Sequence, residues 1–132
     1  MDSQLLEEIA KEIYVRTFDR IAASIPLSNE ELDSKLADEV KAVAGKYNIA
    51  LKDSKDCFAT NRLCRPALWY LHDNRFITLA DKSWELKEQL RSKTDAELKQ
   101  HIDGLKNEYL AAWEKSRDYV IANLEKAIVS TK

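Results

Sequence analysis

From Thr94 to Ile128 the chain contains no proline, and apolar side chains return at Leu98, Ile102, Leu105, Tyr109, Trp113, Val120, Leu124 and Ile128. Those steps hold one stripe of a helix with about 3.6 residues per turn. Asp103, Lys106, Glu114, Lys115, Arg117, Asp118 and Glu125 fall mostly outside the stripe. The spacing therefore predicts one long amphipathic helix over 94–128, expected to organise the rest of the chain. Ile102, Trp113 and Leu124 recur at an eleven-residue spacing, which favours a straight bundle helix over a left-handed coiled coil.

A helix with one oily stripe must pack on others, and the preceding segments supply them. Leu6, Ile9, Ile13, Thr17 and Ile21 share one side of a helix over 3–24, widened by Leu5, Tyr14, Phe18 and Ile25 and stopped before Pro26. Ser28 and Glu31 have the spacing of a capping box, opening a second helix to about residue 47 with Leu32, Leu36, Val40, Val43 and Tyr47 on its buried face. Thr94 and Glu97 form a second such box at the head of the long helix. Thr78 and Asp81 resemble a third capping signal, so a helix is expected over 78–91 with Leu79, Trp84, Leu86 and Leu90 apolar. Residues 49–77 are the least regular. Ile49–Leu51 reads as extended, 55–64 as a helical turn, and 67–73 as a short helix with Pro66 in its first turn.

The expected fold class is thus all-α: a single domain over 1–132, a bundle of four major helices with one or two short helical segments around 54–74. Two glycines and two prolines are too few for the tight turns of a β-sandwich or barrel. Gly104 within the long helix costs roughly 1 kcal/mol against alanine, which suggests close approach by another helix.

The charge balance argues about partners. With 21 basic and 23 acidic residues, the net charge of -2 gives no single-signed field to draw the whole molecule to nucleic acid or anionic lipid. Pairs such as Glu12 with Arg16 have solvent-face helical spacing. The acidic N-terminus lacks the basic start and apolar core of a signal peptide, and charges interrupt every apolar stretch. A soluble, cytoplasmic protein without membrane attachment is expected.

Chemical signatures are sparse. On a continuous helix Cys57 and Cys64 would share a face about 10 Å apart along the axis, too far for a disulfide. No CxxC or HxxxH spacing supports a metal site, and His72 and His101 stand alone apart from a surface pairing of His101 with Glu97. No GxSxG elbow, phosphate loop or dinucleotide fingerprint occurs. Neither an enzyme activity nor a cofactor is expected, although a site assembled across helices would leave no local motif.

The most distinctive stretch is 55–76, where Arg62, Arg65 and Arg75 mix with Phe58, Trp69, Tyr70, His72 and Phe76. Arginine pairs with carboxylate or phosphate, and aromatic faces anchor protein interfaces or stack on bases. The candidate binding residues are accordingly Arg62, Arg65, Trp69, Tyr70, His72 and Arg75. The competing reading places Phe58, Leu63, Leu68, Trp69 and Leu71 in the core with the arginines reaching to water. Tyr109, Trp113, Tyr119 and Trp84 pose the same choice between core and interface. What remains is an expectation by subtraction. The chain reads as a non-enzymatic protein-interaction module, such as an adaptor, inhibitor or immunity-type factor, that binds a protein partner through a helical face. A nucleic-acid-associated regulator using 58–76 is the alternative, and a homodimer is left open.

Overall fold

The fold, obtained as a computed structural model, is described for residues 2–53 and 58–129; the side chains of Phe58 and Ala59 and all of Cys57 lie outside that description. It is mostly helical. In chain order come α1 (Ser3–Ser24), β1 (Leu27–Ser28), α2 (Asn29–Lys46), α3 (Phe58–Arg62), α4 (Arg65–Asp73), β2 (Ile77–Ala80), β3 (Ser83–Leu86), a 3-10 turn (Glu88–Leu90), α5 (Asp95–Ala111) and α6 (Trp113–Ala127).

The central helix is α1, not the last one. Leu6, Ile9, Ile13, Tyr14, Thr17, Phe18 and Ile21 are all buried, because α1 is covered by α2 and α6 and also touches α4 and α5. The stripe on α2 behaves as its spacing requires: Leu32, Leu36, Val40 and Val43 are buried. Ser28 accepts from the Glu31 amide at 3.1 Å, but its hydroxyl, rather than its amide, meets the Glu31 carboxylate. At its other end α2 closes in a Schellman motif. Asn48 takes a left-handed φ of 55°, and the Ile49 amide donates to the Ala44 carbonyl. Charged groups seal the α1–α2 seam, where Glu12 receives Lys46 at 2.6 Å and Arg16 at 3.7 Å, while Glu39 faces Arg16 and Arg20.

The expected helix over 78–91 is replaced by a β-hairpin and the 3-10 turn. Ile77 pairs with Leu86 and Ala80 with Ser83, and β1 adds to the other edge of β3 to give an antiparallel sheet of order β1-β3-β2. Asp81 turns the hairpin with a φ of 59°, a conformation aspartate tolerates better than most residues. The sheet is fastened to the head of α2: Trp84 Nε1 donates to Asn29 Oδ1 at 2.6 Å, and the Asn29 amide donates to the Lys82 carbonyl. Thr78 therefore lies in a strand and caps no helix.

The expected single helix over 94–128 is two helices broken at Ala112, whose φ of -83° and ψ of 0° depart from regular helix values. The full capping box of Thr94 and Glu97 does open α5, and His101 stacks on Phe76. Gly104 is exposed, with nothing within 4 Å of where a Cβ would stand, so no helix packs there. Ile49–Leu51 is extended as expected; Leu51 bridges Ile128, and the Lys52 amide donates to the Ala127 carbonyl to hold the end of α6.

Candidate functional site

Neither proline nor glycine occupies the α5–α6 break; a side chain from α1 inserts there instead. Tyr14 on α1 donates its hydroxyl to the Tyr109 carbonyl at 2.5 Å, and Tyr109 donates its own to the Tyr14 carbonyl at 2.7 Å. The two rings stack with centroids 3.9 Å apart and planes 6° from parallel. In an unbroken helix the Trp113 amide would take the Tyr109 carbonyl; here the Tyr14 hydroxyl and the Ala112 amide share it. Trp113, Phe18 and Tyr70 complete the aromatic cluster, at 5.0 Å from Tyr14 and at 4.7 and 5.3 Å from Tyr109. Burial pushes the Tyr14 and Tyr109 hydroxyls toward the neutral form; at Tyr14 the Ser116 hydroxyl works slightly the other way.

Above this floor the chain bends away and leaves a cleft of about 280 Å³ between α4 and the start of α6. Pro66, Trp69 and Tyr70 form one wall, Ala112, Ser116 and Tyr119 the other, with Asp73 and Lys115 on the rim. Trp69 is 48% exposed and lies 6.1 Å from the Tyr119 ring, so the core role weighed for it is not the one it takes. Leu63 and Leu71, by contrast, are buried, Leu68 is partly so, and Phe58 lies outside the described side chains. Tyr70 spans both roles, with its ring in the cluster and its hydroxyl donating to Glu108 at 3.0 Å. Burial first, then the Glu108 carboxylate, pushes its hydroxyl up to about 12.

The six candidate residues do not converge. Trp69 and Tyr70 line the cleft. Arg62 and Arg65 stand near its Tyr119 end, where their charges favour the ionised hydroxyl against the larger, opposing effect of burial. His72 turns the other way, edge-on to Trp84 at 6.1 Å and 3.3 Å from the Asp73 carboxylate. Arg75 has a structural post. It ends α4 at a left-handed φ of 59°, with the Phe76 amide donating to the Leu71 carbonyl in a second Schellman motif. Tyr119, Ser116 and Lys115, which the sequence reading did not join to Trp69, enter the site through the break at Ala112.

A larger hollow of about 610 Å³ separates α2 from α3, lined in part by Leu36, Val40, Thr60 and Cys64. Burial pushes the Cys64 thiol up to about 12, so it is not a ready nucleophile. Among the described residues no three His, Cys, Asp or Glu side chains group as a metal site, and no helix is long and apolar enough to cross a membrane. No protein-family model, curated protein or solved structure matches the chain.

Proposed function

We propose that this chain is a non-enzymatic, intracellular protein-interaction module whose partner anchors in the cleft between α4 and α6. The observation that carries the reading is Trp69. A large amphipathic ring, nearly half exposed, stands beside Tyr119 at the mouth of a recess whose floor is stacked tyrosine. Tryptophan and tyrosine dominate the small set of residues that carry binding energy at protein interfaces, especially where they border a preformed pocket.

The test uses the intact chain and its Trp69→Ala variant as paired baits, after circular dichroism has shown equal folding. A defined set of proteins held by the first and lost by the second supports the reading; identical captured sets refute it. A nucleic-acid partner is the second reading. It is favoured by Arg62 and Arg65, which have no ion-pair partner among the described residues and stand near the partly buried Tyr119 ring. That reading requires captured nucleic acid whose binding falls steeply with salt and weakens when both arginines are replaced by glutamine.

A further inference from the structure

We propose that the partner seated in the α4–α6 cleft is an acidic segment of a second protein, which puts one apolar side chain into the recess and its carboxylates beside Arg62 and Arg65. The inference rests on the cleft being the interface. A space of about 280 Å³ falls just below the roughly 300–1,000 Å³ usual for small-molecule sites, so it suits an anchoring side chain rather than a whole ligand. At its mouth the Trp69 indole N–H and the Tyr119 hydroxyl donate to nothing among the described residues. Burial keeps the Tyr119 hydroxyl protonated, so both groups serve as donors toward carbonyl or carboxylate oxygens.

The charge around the recess selects the partner. Arg65 lies one turn before Trp69 on α4, and Arg62 ends α3, which packs on α6. Both charges reach the Tyr119 hydroxyl, and Lys115 stands on the rim one turn before Tyr119. None of the three has an ion-pair partner among the described residues. The neighbouring acids are already engaged: Asp73 meets the His72 ring at 3.3 Å, Glu108 accepts from Tyr70 at 3.0 Å, and Glu114 and Asp118 face Arg117 at 3.5 and 3.6 Å. Arginines elsewhere are matched, Arg16 and Arg20 by Glu39 and Arg91 by Glu85. In a chain of net charge -2, the cleft therefore gathers three cations that are unmatched within the described residues. Carboxylates brought by the partner would match them, with forked hydrogen bonds at the two arginines. A polyanion fits less well, because binding to a phosphate backbone draws on many cations, whereas these three stand among four carboxylates that repel a dense negative charge.

The experiment selects short random peptides displayed on phage against the full-length chain, then measures the enriched sequences as labelled synthetic peptides by fluorescence anisotropy. Binders should combine one large apolar residue with several Asp or Glu. Their affinity should fall about thirtyfold in Trp69→Ala, as for an interface anchor. It should fall about tenfold when Arg62→Gln and Arg65→Gln are combined, and the dependence on salt should flatten. Exchanging the peptide's Asp and Glu for Asn and Gln should reproduce the arginine effect on the unaltered protein, which decides the matter should the double variant not fold. Peptides that need Trp69 but carry no acidic bias, or that bind the arginine variant as well as the native chain, overturn the acidic partner and leave the interface reading intact. Enrichment of no peptide sensitive to Trp69→Ala also overturns the proposal, with the paired-bait capture deciding separately whether the cleft is an interface. Tighter binding of a labelled single-stranded DNA oligonucleotide, lost at high salt, overturns it in favour of a nucleic-acid partner.

Discussion

The tyrosine clasp yields a stability prediction that depends on its particular wiring. Replacing Tyr14 or Tyr109 by phenylalanine keeps the stacked ring and removes one hydroxyl, hence one buried hydrogen bond to a backbone carbonyl. Neither carbonyl is then orphaned. The Ala112 amide still donates to that of Tyr109 at 3.1 Å, and that of Tyr14, inside α1, keeps the ladder amide four residues on. The loss should therefore sit near the net value of a hydrogen bond, about 1 kcal/mol for each substitution, rather than the roughly 3 kcal/mol of a stranded polar group. Because each hydroxyl bonds backbone and not the other hydroxyl, the double variant should cost about 2 kcal/mol, with a coupling below about 0.5 kcal/mol despite the ring contact. Urea unfolding at low protein concentration, followed by helical circular dichroism and by tryptophan fluorescence, measures all four corners of this cycle. A neutral Tyr14→Phe, or a double variant far costlier than the sum, would refute two independent hydroxyl–carbonyl bonds.

Three further outcomes follow from single positions. Gly104→Ala should stabilise by about 0.5–1 kcal/mol, since a methyl group meets nothing within 4 Å and the unfolded chain loses freedom; destabilisation in thermal unfolding would reject the open helix face. Arg75→Gly should stabilise by up to about 1 kcal/mol by relieving a left-handed φ of 59°, and should leave partner binding intact; loss of binding would return Arg75 to the site. Tyr14, Tyr109, Tyr70 and Tyr119 are all held above the ordinary tyrosine value, chiefly by burial. Their contribution is thus fully present below the unfolded value of about 10 and is lost as pH rises through the folded ones. Stability should decline above that point, with part of the tyrosinate absorbance appearing only as the helical signal collapses. Ionisation of all tyrosines near the free value in a still-folded protein would contradict their placement.

Periodicity alone determined which faces of α1 and α2 are dry and where α5 begins, because those facts rest on side chains three and four apart and on a cap three residues from its partner. The capping spacing of Thr94 and Glu97 produced the expected helix start, whereas the same spacing at Thr78 and Asp81 did not. There the strands gain partners at Leu27 and Ser28, which no window of sequence around Thr78 contains. The exposed Trp69 was legible as a candidate anchor but not as one wall of a cleft, since the opposite wall exists only where the last helix bends. That bend was decided by tertiary structure: the hydroxyl sharing the Tyr109 carbonyl comes from a residue 95 positions earlier. Local spacing reports the conformation a segment prefers by itself; where a distant side chain claims a backbone group that this conformation needs, the folded chain takes the other course.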